Sequence, residues 1–181
     1  MSKAVMLSIR PKWCEKIANG EKTIEVRKTR PKWQTPFKCY IYCTMDHPHI
    51  SVSCVELDKL NYRTKTVGRC NGKVIGEFPC DRIYELAPLN HAPDDVEKQA
   101  CLTREEIVNY LKGTGYGWHI VNLKIYDTPR ELSEFRRACP NSWYCESCAM
   151  HRENNGTCGN ESLQIKRAPQ SWCYVEAMDN G

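Results

Sequence analysis

Hydrophobic and other residues alternate in several short stretches of the chain, and this period of two predicts β-strands. In Phe37–Cys43, for example, phenylalanine, cysteine, isoleucine and cysteine occupy every second position. Comparable stretches predict further strands at Val5–Ile9, Thr23–Arg27, Lys73–Tyr84, Tyr116–Tyr126 and Trp172–Val175. The pattern therefore predicts five or six short strands.

Helix signals lie between these strands. Pro11 suits a first helical turn and Gly20 can close the same helix. Thr103–Glu106 has the form of a capping box, so we expect a second helix to begin there. A third short helix is predicted to start at Thr128. Two or three helices are too few to connect a doubly wound sheet, and the pattern favours an α+β fold, a small mixed β-barrel with peripheral helices.

The length of 181 residues fits one domain, 1–181, that carries insertions. Residues 44–72 are polar and without regular alternation, so we expect an irregular insertion there. Residues 86–101 read as another loop. A cysteine-rich insertion spans about 136–168, before the last predicted strand.

The composition is that of an ordinary globular protein, with 41% hydrophobic and 27% charged residues. The formal net charge of +4 is a weak indication of a polyanionic partner. No apolar run approaches the roughly 18–20 residues of a transmembrane helix, and the start of the chain is too soon polar for a signal peptide. We therefore expect a cytoplasmic protein without a membrane partner.

Four of the twelve cysteines have the spacing of a metal site. Cys145 and Cys148 form a C-x2-C pair, and Cys139 and Cys158 flank it at loop distances. The segment between them is polar, so a cross-link would offset the entropy lost when it orders. Four thiolates leave no open position for water, which predicts a structural zinc ion.

Other interpretations of these cysteines stay open. One alternative is that the four cysteines are free thiols in a flexible insertion. A redox pair or an iron–sulfur cluster is a weaker alternative. His151 can replace one ligand and Cys173 is a spare. Most of the other cysteines, such as Cys39, sit in apolar surroundings and are read as buried core residues.

The segment Gly20-Glu-Lys-Thr-Ile-Glu-Val-Arg27 resembles the signature G-x-K-x-x-E-x-R of the ASCH family, whose fold is PUA-like. The stretches that begin at Lys73, Tyr116 and Pro169 resemble a bacterial and prophage-type subgroup with a cysteine-rich insertion before its last strand. The likeness covers most of the chain except about 44–72 and 86–101. It implies a phage-related or bacterial ASCH domain that binds RNA or a modified nucleobase.

Alternation places Thr23, Glu25 and Arg27 on one face of the motif strand, with Lys22 at its mouth. A carboxylate, an ammonium and a guanidinium there suit the polar edge of a base. A solvated strand face with weak ion pairs is the alternative. The resemblance implies a ligand cleft at this strand, and Trp118-His119 is a further candidate for its lining.

The segment that follows the motif is basic and contains an aromatic residue, a combination suited to single-stranded nucleic acid. The candidate contacts are Lys28, Arg30, Lys32, Trp33 and Lys38. A soluble loop with no partner is the alternative interpretation.

Whether the protein is an enzyme is open from the sequence. The resemblance includes amidohydrolases that act on acylated cytidine and proteins reported as ribonucleases. In the amidohydrolases a threonine nucleophile stands where this chain has Glu25, so the expected hydroxyl is missing. Lys22 with Glu25 or Glu77 could still activate water, which makes them the catalytic candidates. Binding is the first prediction and hydrolysis the alternative; in a third possibility the cysteine insertion binds a partner and the cleft is vestigial.

Overall fold

Ten strands and four helices are assigned in the residues that the structure, a computed structural model, describes: 3–46, 51–58, 61–86, 91–139, 148–153 and 158–178. The strands are β1 Lys3–Ile9, β2 Ile24–Arg27, β3 Phe37–Cys43, β4 Ser51–Asp58, β5 Asn61–Arg69, β6 Lys73–Cys80, β7 Ile83–Glu85, β8 Tyr116–His119, β9 Lys124–Glu131 and β10 Trp172–Glu176. The helices are α1 Pro11–Ala18, α2 Val96–Ala100, α3 Arg104–Leu111 and α4 Ala149–Glu153.

The largest sheet has five strands in the order β10-β1-β3-β6-β9. β1 and β3 are parallel, and the other neighbours are antiparallel. Alternation along β3 sends Ile41 to one buried cluster and Tyr40 to another, on the opposite face. Both faces are thus covered over part of the sheet, which explains why nearly every residue of β3 is buried.

A second sheet has the order β2-β8-β7, so the motif strand β2 lies at its edge. Ile24 and Val26 face a third buried cluster, which includes Ile107 and Leu111 of α3. The α3 helix begins with the predicted capping box, in which the side chains and backbone amides of Thr103 and Glu106 are paired reciprocally. Packing and capping together fix α3 beside β2.

The predicted mixed α+β fold is confirmed, as are the strands at both ends of the chain and the helices after Pro11 and Thr103. Among the described residues the strands do not close into a barrel; they form sheets of five, three and two strands. The prediction of a small mixed β-barrel therefore finds only partial support, in the short strands with helices around them.

Three predictions about elements are wrong. Residues 86–101 are not all loop, because α2 lies within them. The other two concern strands. Residues 44–72 are not irregular, because β4 and β5 pair antiparallel within them as a two-stranded sheet; that they form an insertion stays a prediction. Thr128 does not begin a helix: β9 continues to Glu131, and only a 3₁₀ turn, Leu132–Glu134, follows. In both places the strands carry many polar residues, and strand formation depends on pairing partners more than on intrinsic preference.

A candidate ligand cleft beside the motif strand

The turn between α1 and β2 places Lys22 inside the protein. Gly20 has a φ of +75°, a left-handed conformation that favours glycine, and the amides of Glu21 and Lys22 both bond the carbonyl of Lys16. The side chain of Lys22 is only 2% exposed. Its Nζ donates to the carbonyl of Ala100 at 2.7 Å. The helix end therefore turns the motif lysine inward, away from solvent.

Glu25 lies between two buried cations. Its Oε2 is 3.4 Å from Lys22 Nζ and its Oε1 is 3.0 Å from Arg27 Nη2. Arg27 also donates from Nη2 to the carbonyl of Ser8 at 2.6 Å and from Nη1 to Ser171 Oγ at 3.3 Å. Arg27 Nε is buried and has no hydrogen-bond partner among the described residues. We call Lys22, Glu25 and Arg27 the buried triad.

The buried triad lines a cavity of about 460 Å³, which we call the cleft. The other charged residues around the cleft are Arg10, Asp46 and Glu106. With the triad they make three cations and three carboxylates, so the lining is neutral. Arg10, Asp46 and Glu106 are exposed, so only the charges of the triad are buried. Burial of charges is unfavourable unless they are paired, and such arrangements are concentrated at functional sites.

The cleft is also lined by two aromatic residues, by the hydroxyls of a serine and a threonine, and by Gln170. Trp13 of α1 has the ammonium groups of Lys12 and Lys22 at 4.7 and 5.1 Å from its ring centroid. Tyr110 of α3 is 44% exposed and also lines the cleft. The hydroxyl of Ser8 donates to the carbonyl of Pro169, and that of Thr44 donates to Asp46. Both hydroxyls are thus engaged within the protein.

Three residues predicted for the cleft are absent from its lining. Thr23 precedes β2, and its hydroxyl donates to Gln99 Oε1 at 3.3 Å. Trp118 lies across from Glu25 on β8 but is completely buried between Phe37 and Trp172. His119 pairs with Asp81, with 2.7 Å between Nδ1 and Oδ1.

Glu77, proposed as a partner for Lys22 in catalysis, belongs to another part of the structure. It lies across from Tyr40 on the five-stranded sheet, and its Oε2 accepts a hydrogen bond from Tyr126 at 2.7 Å. Glu77 lines a second cavity rather than the cleft. The structure thus separates Glu77 from Lys22 and Glu25.

The basic segment after β2 is anchored by aromatic contacts. Trp33 packs against Tyr174 with 4.3 Å between ring centroids, so part of its ring surface is already covered. Lys28 and Arg30 lie over the rings of Tyr110 and Tyr116, at 5.3 and 5.5 Å. Lys28, Arg30 and Lys32 are exposed, whereas Lys38 is half-buried and lies 3.4 Å from Glu77.

Residues of the cleft that sequence reasoning missed come from other segments. Arg10, Trp13 and Asp46 lie near the ends of α1 and β3, and Glu106 and Tyr110 belong to α3. The one available signal is Tyr110, which lies three residues after Ile107 in the helix predicted to begin at Thr103, because a tyrosine hydroxyl suits a partly exposed position.

Burial changes the chemistry of a thiol close to the buried triad. Cys14 of α1 is completely buried, and burial raises the pKa of its thiol well above the usual value. A hydrogen bond with Cys43 and the charge of Glu25 raise the pKa of Cys14 further. The thiol therefore stays protonated at neutral pH and is not a nucleophile for the cleft.

The four cysteines predicted to bind zinc are only partly described. Cys139, Cys148 and Cys158 are half-buried free thiols, and Cys145 lies outside the described residues. In the part of the chain that the structure describes, no three potential ligands lie together as a metal site. The zinc site stays a prediction.

No protein-family model and no curated protein matches the sequence. Solved structures that match include ASCH from Zymomonas mobilis, at 15% identity and a TM-score of 0.48, covering 96% of this chain and 87% of that one. Two single-residue variants of that protein match at 15% identity with TM-scores of 0.48 and 0.49, over 96% of this chain and 90% and 88% of theirs. The chain is similar to ASCH structures over nearly its whole length.

That family is the one that the Gly20–Arg27 motif resembles. The described helices include none that is long and apolar enough to cross a membrane.

Proposed function

We propose that this chain is an ASCH-type protein that binds a nucleobase, free or within RNA, in the cleft. The observation that carries the proposal is the buried triad at the wall of a cavity of about 460 Å³. Cavities that bind small molecules commonly have volumes of roughly 300–1,000 Å³. The edge of a base carries donors and acceptors side by side, and the triad offers the matching acceptor and donors.

The charge of the cleft supports a neutral ligand group. Its three cations are balanced by three carboxylates, so a phosphate there would gain little net attraction. Exposed cations that form no ion pair within the described residues lie outside the lining of the cleft, at Lys28, Arg30 and Lys32. We therefore assign the base to the cleft and any phosphate contacts to the basic segment.

Tyr110 is our candidate for the residue that stacks on the base. Of the two aromatic residues in the cleft, Trp13 already has two ammonium groups close to its ring. Tyr110 is exposed, and Lys28 is the one cation over its ring among the described residues, at 5.3 Å from the ring centroid. Stacking of a base on an aromatic ring contributes about 1–3 kcal/mol, whatever the base.

Hydrolysis of a modified nucleoside or of RNA remains our alternative proposal. It has less support, because the Thr23 hydroxyl bonds Gln99 and Glu77 lines another cavity. Lys22 Nζ is also already engaged, because it donates to the carbonyl of Ala100 and pairs with Glu25. Hydrolysis is the better description if the wild-type protein releases the free acid from acylated cytidine and Lys22→Met does not. Glu25→Thr tests whether the nucleophilic hydroxyl is the only group that the chain lacks for this reaction.

We also propose a structural zinc ion, membership of the prophage-type subgroup and a cytoplasmic location. The zinc proposal rests on the spacing of Cys139, Cys145, Cys148 and Cys158, and its ligand set includes a residue outside the described part. Such an ion would order the insertion without taking part in chemistry. Metal analysis of the purified protein tests it: one zinc per chain is expected, and none would refute it.

Binding to the cleft is tested by titrating the protein with nucleosides and with short single-stranded RNA. We expect Tyr110→Ala to weaken both by about tenfold, within the 1–3 kcal/mol of a stacked base. Tyr110→Phe keeps the ring and is expected to bind like wild type. Val108→Ala on the same helix is the control, because Val108 is also exposed but does not line the cleft. Wild-type protein that binds neither nucleosides nor RNA would refute the proposal.

A further inference from the structure

A second cavity, of about 450 Å³, lies where three neighbouring strands of the five-stranded sheet begin or end. Alternate residues of these strands and of the segments that lead into them form its polar and apolar surface. They are Pro36 and Lys38, Glu77 and Pro79, and Asn122 and Lys124. We call this cavity the strand-end groove. Nothing in the proposed function assigns a role to it.

The carboxylate in the strand-end groove is neutralised by its neighbours. Glu77 is 7% exposed, and its Oε2 accepts a hydrogen bond from Tyr126 and lies 3.4 Å from Lys38 Nζ. Burial, followed by the bond to Glu77, raises the pKa of Tyr126 well above its usual value, so the phenol keeps its proton and remains a donor. The Glu77–Lys38 pair therefore presents no net charge to a ligand.

Lys124 adds a positive charge that is not compensated. It lies directly across from Glu77 in the pairing of β6 with β9, on the same face of the sheet. Lys124 is exposed, and within the described residues it forms no hydrogen bond or ion pair. The groove as a whole thus has a net charge of +1 from Lys38, Lys124 and Glu77, which favours an anionic group.

The rest of the groove is apolar. Pro36 and Pro79 contribute rings without hydrogen-bond donors, and Phe37 and Phe78 complete the lining. One ammonium beside apolar surface suits a ligand that has an anionic group next to a sugar or base. It does not suit a small, fully hydrated ion, because the apolar lining offers such an ion no hydrogen bonds.

The strand-end groove is connected to the cleft by the basic segment. That segment runs from Arg27, in the buried triad, to Lys38, in the groove. Between them Lys28, Arg30 and Lys32 are exposed. These three exposed cations lie in the sequence between one cavity and the other, and exposed cations of this kind suit contact with a nucleic-acid backbone.

We propose that the strand-end groove binds a phosphodiester group of the RNA strand whose base occupies the cleft. Lys124 contacts the phosphate, and the proline rings contact the adjoining sugar or base. This inference rests on the proposed function and extends it: the ligand is a strand long enough to reach both cavities, not a nucleoside alone. The groove then contributes to RNA affinity and leaves nucleoside affinity unchanged.

The test compares wild type, Lys124→Ala and Lys124→Glu in two titrations, one with a nucleoside and one with a fluorescent single-stranded RNA of about ten nucleotides. We expect Lys124→Ala to weaken RNA binding about threefold to fivefold, the effect of an exposed charge pair, and Lys124→Glu to weaken it more. The slope of log affinity against log salt should fall by about 0.7, the value for one phosphate of a single strand. Nucleoside binding should not change.

Lys112→Glu is the matched control, because Lys112 is exposed at the end of α3 and belongs to neither cavity. If Lys124→Glu and Lys112→Glu reduce RNA affinity and the salt slope equally, the groove proposal is wrong and the cleft is unaffected. Nucleoside binding without RNA binding refutes the groove alone. A further measurement is the NMR signal of Lys124. If inorganic phosphate shifts this signal and RNA does not, the ligand of the groove is not RNA. Binding of neither nucleoside nor RNA refutes both proposals.

Discussion

The charges of the buried triad are not interchangeable, because the carboxylate of Glu25 serves two partners. One oxygen lies near Lys22 and the other near Arg27, while each cation also donates to a backbone carbonyl. Removing Lys22 leaves Glu25 with Arg27. Removing Glu25 leaves two buried cations side by side, and uncompensated buried charge is costly. Stability should therefore depend on Glu25 more than on Lys22.

We predict that Glu25→Ala lowers the free energy of unfolding by about 3–5 kcal/mol, the usual cost of breaking a buried ion pair. Lys22→Ala should lower it less. Urea unfolding followed by tryptophan fluorescence measures both. Lys16→Ala is the control, since the side chains of the Lys16–Glu21 pair are 33% and 53% exposed and its loss should change the urea midpoint little. A Glu25→Ala protein as stable as wild type would show that the triad is solvated.

Alternation along the motif strand could predict that Glu25 and Arg27 share a face, and they do. It could not predict their partners, because Ser8, Ala100 and Ser171 come from distant parts of the chain. For the same reason it misassigned Thr23, which meets Gln99 of α2 at the edge of the sheet. The residues of the site were thus predictable only where alternation along the strand determines which face of the sheet a side chain lies on.

Among the elements, the contact between β6 and β9 depends on a glycine. The pairing of these strands is irregular between Val74 and Gly76, which ends the simple alternation that the sequence predicts for Lys73–Tyr84. A Cβ atom on Gly76 would lie 2.5 Å from the carbonyl oxygen of Lys124 and 3.0 Å from Ile125 Cδ1. The glycine therefore allows β9, and with it Lys124 and Tyr126, to approach β6 closely.

We predict that Gly76→Ala destabilises the protein by about 1–3 kcal/mol, the usual cost of overpacking, because the backbone of β9 must move. It should also weaken the hydrogen bond from Tyr126 to Glu77. Thermal unfolding measures the first effect, and the ultraviolet titration of Tyr126 the second, as a pKa that falls toward its usual value. Gly20→Ala is the comparison: its Cβ meets nothing within 4 Å, so it adds backbone strain but leaves the Tyr126 titration unchanged. An unchanged titration in Gly76→Ala would contradict the argument.

The elements that the sequence predicted well have strong local signals, such as the capping box at Thr103 and the alternation in Phe37–Cys43. The hairpin of β4 and β5 lacked such a signal because its strands are rich in polar residues. Likewise, no local pattern shows that Tyr116–Tyr126 divides into β8 and β9, which belong to different sheets. Strand pairing is a long-range property, and sequence period alone cannot supply it.

At the scale of the whole molecule the cysteines divide into those of the core and those of the insertion. Cys14, Cys39 and Cys80 are completely buried in the main hydrophobic cluster. Burial raises the pKa of Cys14 and Cys39 well above the usual value and that of Cys80 to about 12. Only the thiolate reacts readily with alkylating reagents, so these three are protected both by burial and by their charge state. No such protection by burial holds for the half-buried Cys139, Cys148 and Cys158.

We predict that alkylation at pH 8, read by peptide mass spectrometry, separates these two groups. Cys14, Cys39 and Cys80 should react only in denaturant, whereas half-buried Cys101 should react in the native protein and serves as the internal reference. If zinc orders the insertion, the cysteines of the insertion should react slowly until a chelator is added. After the chelator is added they should react as fast as Cys101, while the core cysteines stay protected. Native labelling of the core cysteines would contradict the assigned core. Insertion cysteines that react equally with and without chelator would instead refute the metal, because only a bound ion makes their reactivity depend on its removal.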